Sequence, residues 1–475
     1  REGLWRLLND MTSGPPLRQI LKFAVPMLIG GIFQLFYNIA DMLIVGRVNG
    51  SRDLAAIGAT ASATFLILSA TLGLATACSI VMAQHFGAGG RRMVRVTLVG
   101  SIYISGLCAI AMTVFGLYGS RTLLRLLNTP PEIMDGAATY MRICVGVGGL
   151  GAVVYNSAAA VLRAVGDSRT PLYFLILSTV TNILLDLLFV MEFGLGVAGV
   201  AAATVISQAA SAVICVLYIA GRHPIFRPRR EDWRPDWRNL GMIGRIGVSL
   251  ALQGIFISVG EMTILGVVNS FGSDVTAAYL TSLRVQQFTV ILYFTFTEAF
   301  AVFAGQNLGA RCIRRIRDGF WKIGGVVMIL CFVSAGAIFI FGDDFVRLFI
   351  APEDPHIGEI TEIARGYLRV SSCLYPFLAL IIIHNNALRG MGDAFYPLVS
   401  GLVELFAKGG LAILLGGWFG YYGVWFAAPI GWLLGLIPPA IRYHFGGWEK
   451  LADSVAAKNA ISVRIQAESA RFFPK

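Results

Sequence analysis

Twelve long apolar stretches constrain this 475-residue chain more than any other feature. A membrane-spanning helix needs about 20 mostly apolar residues. Stretches of that length lie at 18–46, 54–84, 93–118, 137–162, 171–191, 197–220, 241–269, 275–304, 319–341, 360–388, 395–417 and 421–444. Only 14% of the residues are charged, whereas soluble globular proteins have about 25%. The stretches do not alternate in polarity as barrel strands do, so we expect an all-α polytopic membrane protein with twelve transmembrane helices.

Basic residues mark one side of the predicted membrane protein. Of the 38 Lys and Arg residues, 27 lie before the first stretch, in every second loop after it, at the stretch ends that adjoin these segments, or in the tail. Five lie in the remaining loops, and six lie within the stretches. This bias predicts that both termini are cytoplasmic. The basic residues behind the net charge of +11 then set the orientation of the chain, and they also contact anionic lipid. We expect a multi-pass protein of the cell (plasma) inner membrane, embedded in the lipid bilayer, with no nucleic-acid partner.

The chain repeats itself. The motif AQHFGA at 83–88 aligns with GQNLGA at 305–310. At nearly the same offset, the motif LRAVGD at 162–167, followed by Pro171, aligns with LRGMGD at 388–393, followed by Pro397. Each half has six spans and begins and ends on the same side, so the two six-helix bundles are parallel repeats. Two homologous bundles around a central cleft are typical of transporters, which bind substrate near the midplane.

The repeat predicts the domain organisation. We expect an N-terminal lobe at 1–221, a cytoplasmic linker at 222–239, a C-terminal lobe at 240–447 and a cytoplasmic tail at 448–475. A duplication that only enlarged a scaffold is the structural alternative.

Polar side chains share helix faces within the apolar stretches of the first half. An ionisable side chain at the centre of a span costs about 2.5 to 3.5 kcal/mol on insertion scales, so each one is a functional hypothesis. The residues are Gln34, Asn38 and Asp41 in the first stretch, Asn182 and Asp186 in the fifth, and Thr204 in the sixth. Their oxygens suit a hard cation such as Na⁺. Asp41 and Asp186 would also repel each other in a dry pocket, so one could load a proton instead. Alternatively, hydrogen bonds neutralise the two carboxyl groups, and the pair only holds the helices of the bundle together.

The second half does not repeat the paired carboxylates. Asn182 aligns with Lys408, which stands four residues after Glu404, a spacing that favours an intrahelical ion pair. Contact with substrate is the alternative for both residues. We expect Glu261 either to contact substrate or to make a structural hydrogen bond, with Arg284 as its expected partner. The candidates for the substrate cleft are Gln34, Asn38, Gln253, Glu261, Arg284, Glu404 and Lys408.

Three groups of residues resemble a known family over essentially the whole chain. The motif NIAD at 38–41 followed by VGR at 45–47, together with the two doubled motifs, is similar to the multidrug and toxic compound extrusion (MATE) family. The resemblance implies two six-helix lobes arranged as a V around a central cleft. It also implies export of amphipathic, often cationic organic compounds by antiport with Na⁺ or H⁺ through alternating access.

The resemblance also implies which residues couple the ion. Asp41, Asn182, Asp186 and Thr204 match the family positions that surround the cation, and they would be Na⁺ ligands in a sodium-coupled protein. Another branch of the family has essential carboxylates in helices seven, ten and eleven. Glu261 matches the first of these positions and Glu404 can stand in for the last. The tenth span has no central carboxylate, so a complete ion site in the second half is not expected.

Other functions fit the sequence less well. A flippase of lipid-linked precursors, from the same superfamily, would be expected to have a more basic cleft. The sequence has no HExxH, P-loop or GxSxG motif, so neither an enzyme nor an ATP-driven pump is expected. We therefore predict a secondary active transporter that works as a monomer and needs no cofactor beyond its coupling ion.

Overall fold

A computed structural model describes residues 10–48, 51–126, 129–350 and 355–448, and these residues form helices joined by short connections. The α-helices are α1 Pro16–Val48, α2 Ser51–Gly87, α3 Arg91–Val114, α4 Ser120–Leu126, α5 Pro131–Met141, α6 Gly149–Ala164, α7 Arg169–Asp186, α8 Gly196–Arg222, α9 Trp237–Asn269, α10 Ser273–Gly309, α11 Ile313–Arg347, α12 Ile357–Cys373, α13 Tyr375–Gly390, α14 Phe395–Phe419, α15 Tyr421–Val424 and α16 Ala427–Phe445. Three π-helical segments, Phe115–Gly119, Arg142–Val147 and Leu187–Glu192, continue α3, α5 and α7. The expected all-α polytopic fold is confirmed.

The number of spans differs slightly from the expected twelve. Within the described ranges, nine helices are long and apolar enough to cross a membrane, or up to eleven if each of two bent helix pairs counts as one span. Helix α2 covers the second predicted stretch but is not among these eleven. Several side chains near its start lie outside the described residues.

The first doubled motif ends α2 and α10 in the same kind of turn. Gly89 and Arg311, which are equivalent positions in the alignment of this motif, both have left-handed backbones, with φ of +72° and +60°. After each, the next backbone N–H donates to a carbonyl five residues earlier, at 3.0 Å and 2.8 Å. This is the helix-ending bond of a Schellman motif. Arg311 is the only described residue other than glycine with a positive φ, so the second half makes this turn at a steric cost that glycine avoids.

The second doubled motif also forms matching turns but uses its carboxylate in two ways. Gly166 and Gly392 have φ of +84° and +85°. Asp167 then accepts hydrogen bonds from two backbone N–H groups at the start of α7, at 3.1 Å and 3.0 Å. Asp393 instead accepts a hydrogen bond from Arg442 Nε of α16 at 2.8 Å. The repeat therefore preserved the backbone while the side-chain contacts diverged.

Both halves bend one span at the same repeat position. The pair α5–α6 bends by 50° around Gly148, and the pair α12–α13 bends by 51° around Leu374. The alignment of the second doubled motif makes Gly148 and Leu374 equivalent. The π-helical segment Arg142–Val147 precedes the first bend, and Pro376 follows the second. Interrupted i→i−4 bonding and proline are both established causes of helix kinks.

The chain divides into two compact units. Unit 1 includes Val25–Ala251, and unit 2 includes Thr12–Ala24 and the described residues from Leu252 onward. The start of α1 belongs to unit 2, where Arg315 Nη1 donates to the Gly14 carbonyl at 2.7 Å. The expected linker belongs to unit 1, where Asp232 accepts a hydrogen bond from Arg95 Nε at 2.6 Å. The expected lobe limits stay predictions.

Candidate functional site

Three polar side chains of unit 1 meet between α1 and α7. Asp41 lies on α1, while Asn182 and Asp186 lie one turn apart on α7. All three are buried, with exposed fractions of 9%, 0% and 0%. With its amide nitrogen turned toward the carboxyl groups, Asn182 donates to Asp41 Oδ1 at 2.9 Å and to Asp186 Oδ2 at 3.2 Å. One neutral amide therefore bridges two acidic groups.

Among the described residues, no basic side chain lies in this pocket. The two carboxyl groups also lie within hydrogen-bonding distance of each other, and no described basic side chain forms an ion pair with either of them. The remaining oxygen of Asp186, Oδ1, is buried and has no hydrogen-bond partner among the described residues. Leaving a buried polar atom unpaired is costly, and more so when it carries charge. A proton or a metal cation would supply the missing partner.

Tyr37 links Thr204 to the pocket. Its hydroxyl donates to Thr204 Oγ1 of α8 at 3.1 Å and lies within hydrogen-bonding reach of Asp41. Tyr37 is buried and Thr204 is half-buried. The structure thus brings together the four predicted coupling residues. The sequence analysis missed Tyr37, although its position four residues before Asp41 places both on one helix face.

The other two polar candidates of α1 are less well defined. Gln34 is exposed. The side chain of Asn38 lies outside the described residues. The predicted face of α1 is therefore described only at its two ends, Gln34 and Asp41.

An apolar layer lies one helical turn from the pocket residues. Buried Val190 and Val200 pack together, and Ile44 packs against them. Each lies three or four residues from a pocket residue, on α1, on the π-helical segment Leu187–Glu192 and on α8. Such π-helical turns occur frequently at functional sites. Ile44, Val190 and Val200 together form this apolar layer.

Unit 2 contains a different acidic centre. Lys408 Nζ lies 2.8 Å from Glu261 Oε1 and 3.0 Å from Glu404 Oε2. The expected pair of Glu404 with Lys408 is confirmed. The expected partner of Glu261 was wrong, because Lys408 takes that place and Arg284 is exposed. Glycine makes room for the lysine, since a Cβ atom at Gly431 would lie 2.6 Å from Lys408 Cγ.

A cluster of buried aromatic residues contacts this centre through Tyr279. The Glu261 side chain is 36% exposed, and the Tyr279 hydroxyl donates to its Oε2 at 3.4 Å. Tyr279 also stacks on Trp425, with ring centroids 5.9 Å apart, and meets the edge of Tyr367 at 5.3 Å. Both oxygens of Glu261 therefore have partners within unit 2.

Gln253 is committed to a separate polar network. Its Oε1 accepts a hydrogen bond from the Arg389 guanidinium, which also donates to Asn386 Oδ1 at 3.0 Å. Gln253 is buried, and a Cβ atom at Gly401 would lie 2.6 Å from its Cγ. These contacts indicate that Gln253 holds α9 against α13 and α14.

Comparisons with known proteins cover nearly the whole chain. The family model described as MatE matches residues 26–188 and 250–413, one segment in each half. "Probable multidrug resistance protein YpnP" of Bacillus subtilis is 29% identical over 445 residues, covering 93% of this chain and 98% of that protein. "Probable multidrug resistance protein NorM" of Thermotoga maritima is 23% identical, covering 95% of this chain and 97% of that protein.

Solved structures show the same fold. A structure described as the outward-facing conformation of a multidrug resistance MATE family transporter has a TM-score of 0.86 and 21% identity, covering 94% of this chain and 98% of that chain. A transporter of the MOP superfamily from Pyrococcus furiosus has a TM-score of 0.87 and 21% identity, covering 93% of this chain and 98% of that chain. The latter is described as having a binding pocket of reverse polarity that suggests a different function.

Proposed function

The chain belongs to the MATE family, and on this premise we propose that it is a secondary active exporter of amphipathic, often cationic organic compounds, driven by antiport with Na⁺ or H⁺. The names of its relatives from Bacillus subtilis and Thermotoga maritima support multidrug export. The observation that carries the coupling proposal is the pocket of Asp41, Asn182 and Asp186, with its buried and unpaired Asp186 Oδ1.

The pocket suits either coupling ion, but each ion requires a different arrangement of Asn182. A proton shared by the two carboxyl groups is compatible with the amide nitrogen facing Asp41 and Asp186, the orientation in which Asn182 donates to both. A Na⁺ ion prefers oxygen ligands, as other hard cations do. It would take carboxylate oxygens and the Thr204 hydroxyl, and the Asn182 amide would turn its carbonyl oxygen inward. Sodium loading therefore breaks both amide hydrogen bonds, and proton loading keeps them.

Ion binding must favour one conformation in order to drive transport. A ligand shifts an equilibrium only by its differential affinity for the two states. A cation between Asp41 and Asp186 removes their repulsion and draws α1 toward α7. In the predicted topology, the apolar layer of Ile44, Val190 and Val200 lies on the outer side of the pocket. We infer that this layer parts when the ion enters from outside and closes over the loaded pocket.

The acidic centre of unit 2 supports a role near the substrate. Glu261 is the accessible member, whereas Tyr279, which donates to it, and Trp425, which stacks on Tyr279, are buried. A partly exposed carboxylate attracts an organic cation by its charge. Glu404 and Lys408 are buried and bonded to each other, so we assign them to holding Glu261 in place.

The same centre argues against flipping of a pyrophosphate-linked lipid. Lys408 lies between two carboxylates, so this group of three carries a formal charge of −1. A pyrophosphate head group would meet net negative charge there. We propose a monomeric transporter without enzymatic activity in the inner membrane. Both of its termini would lie in the cytoplasm, as the distribution of basic residues predicts.

Everted vesicles or proteoliposomes test the coupling proposal. Efflux of a fluorescent organic cation is measured under a Na⁺ gradient and, separately, under a proton gradient. We expect Asp41→Asn and Asp186→Asn to abolish the efflux that the effective gradient drives. Glu192→Gln is the matched control, because Glu192 is exposed six residues after Asp186. Efflux by Asp41→Asn at the wild-type rate would contradict the assignment.

A further inference from the structure

Three potential metal ligands meet at the start of two helices of unit 2. Asp274 lies in the first turn of α10, His356 directly precedes α12, and Glu359 lies in the first turn of α12. One nitrogen and two carboxylate oxygens from these side chains lie within 4.8 Å of one another. His356 Nδ1 is 3.1 Å from Asp274 Oδ2. The whole of α11 separates Asp274 from His356 in the sequence, so local spacing alone does not produce the cluster.

The separation of His356 Nδ1 from Asp274 Oδ2 fits metal coordination. Zinc binds imidazole nitrogen and carboxylate oxygen at about 2.0–2.2 Å. Two ligands at that distance, at angles between octahedral and tetrahedral, lie roughly 3.0–3.4 Å apart. The distance of 3.1 Å between His356 and Asp274 falls in this range. One imidazole and two carboxylates form a mixed nitrogen and oxygen set, which suits Zn²⁺ and similar divalent ions better than Mg²⁺ or Ca²⁺.

Neither the repeated architecture nor the proposed transport function requires this cluster. In the alignment of the second doubled motif, the position equivalent to His356 is Pro130, which directly precedes α5 and offers no ligand atom. The cluster also shares no residue with the pocket of Asp41 and Asp186 or with the centre at Lys408. Among the described residues, this is the one group of three such ligand residues, and it belongs to unit 2.

We propose that Asp274, His356 and Glu359 form a binding site for a divalent transition-metal ion, with Zn²⁺ as the preferred metal. The ion would tie the start of α10 to the start of α12. These helices carry Tyr279 and Tyr367, whose rings meet 5.3 Å apart beside Glu261. Metal binding thus stiffens the aromatic surroundings of Glu261 without contacting that residue.

The test uses the full chain, purified in detergent and stripped of metal with a chelator. Titration with ZnCl₂ is followed by calorimetry and by the thermal unfolding temperature. We expect one equivalent to bind at this site and to raise the unfolding temperature. His356→Ala and Glu359→Gln should each weaken the affinity by at least about tenfold, since losing even an outer partner of a metal ligand costs about 10- to 100-fold. Glu362→Gln, an exposed carboxylate of the same helix, should bind within about twofold of wild type.

Three outcomes would overturn the proposal: wild-type zinc affinity in His356→Ala, an equal loss in Glu362→Gln, or equally tight binding of Mg²⁺ by the unaltered protein. Each would show a general acidic surface instead of a built site. The unfolding temperatures of the metal-free variants show whether they fold. Asp274→Asn provides the same test if His356→Ala does not fold. Because the readout is metal binding, its result is independent of the transport proposal.

Discussion

The two halves of the molecule have a bridging side chain at the same repeat position, but it is a neutral amide in one half and a positively charged ammonium in the other. Asn182 in unit 1 and Lys408 in unit 2 are equivalent in the alignment of the second doubled motif. Asn182 donates to Asp41 and Asp186. Lys408 contacts Glu261 and Glu404. Each unit therefore has two acidic groups held by one donor from an equivalent turn of helix.

The difference between an amide and an ammonium decides what each centre requires. A lysine brings a positive charge, so the protein itself compensates one of the two carboxylates in the acidic centre of unit 2. An asparagine satisfies hydrogen bonds but leaves the charge of Asp41 and Asp186 uncompensated. A positive charge for the pocket of unit 1 would therefore have to come from solution, and we propose that the coupling ion supplies it. This contrast leads to three predictions.

The largest loss of stability is expected from removing the positive charge of Lys408. Lys408→Met leaves Glu404 buried without its ionic partner, with Glu261 close by. Breaking a buried ion pair by removing one member typically costs about 3–5 kcal/mol. We therefore expect a drop of about this size in the free energy of unfolding, measured by thermal or denaturant unfolding in detergent.

The double variant Glu404→Gln with Lys408→Met is the control for this prediction. It removes the buried charge along with its partner and should recover a large part of the lost stability. A single Lys408→Met variant as stable as wild type would show that Lys408 does not compensate the carboxylates, and the contrast between the units would fail.

A smaller loss of stability is expected from removing the amide of Asn182, which bridges Asp41 and Asp186. Asn182→Ala deletes two hydrogen bonds to buried carboxyl oxygens, and each such bond contributes about 0.5–1.5 kcal/mol net. We expect a destabilisation of about 1–3 kcal/mol that added coupling ion partly reverses, because a cation can replace the bridge. Unfolding is compared with and without Na⁺ and at two pH values.

Asn156→Ala supplies the matched control. Asn156 is half-buried on α6 of the same unit, and its amide donates to the Ala152 carbonyl at 2.9 Å without touching an acidic group. Its variant should lose stability without any rescue by ions. Equal rescue of both variants would mean that the ion acts elsewhere.

The smallest effect concerns the turn that both halves share. Arg311→Gly should stabilise the protein by about 0.5–1 kcal/mol, because glycine adopts a positive φ without the cost that an L-residue carries. Gly89→Arg should destabilise it by about 1–2 kcal/mol, although a Cβ atom there meets nothing within 4 Å. Arg311→Ala keeps the Cβ atom and removes the long side chain. A gain in Arg311→Ala equal to that in Arg311→Gly would place the effect in the side chain instead of the backbone.

Much of the fold followed from the sequence because the membrane limits the choices. Long apolar stretches must become helices in lipid, and the doubled motifs predicted a repeated architecture, which appears in the matching ends of α2 and α10. The approach of Asp41 to Asn182 and Asp186 followed from the cost of isolated charges in a span. Within α14, the spacing of Glu404 and Lys408 predicted their ion pair.

Contacts between helices were harder to predict. Arg284 was paired with Glu261 because both lie inside neighbouring spans, but helix periodicity does not say which face α10 turns toward α9. The lysine on α14 reaches Glu261 because glycines leave room for it. The bend at Leu374 has Pro376 as a signal, whereas the bend at Gly148 follows a π-helical segment that has no comparable mark in the sequence.

Cation binding by the purified full chain is the measurement that tests this contrast most directly. Radioactive Na⁺ is titrated at neutral pH, and proton uptake is measured in Na⁺-free buffer after a downward pH step. We expect one coupling cation per chain that is lost in Asp41→Asn and in Asp186→Asn and retained within about twofold in Glu261→Gln, because Lys408 already compensates that centre. Binding that survives in Asp186→Asn but disappears in Glu261→Gln would contradict the account, since it would place the coupling ion in unit 2.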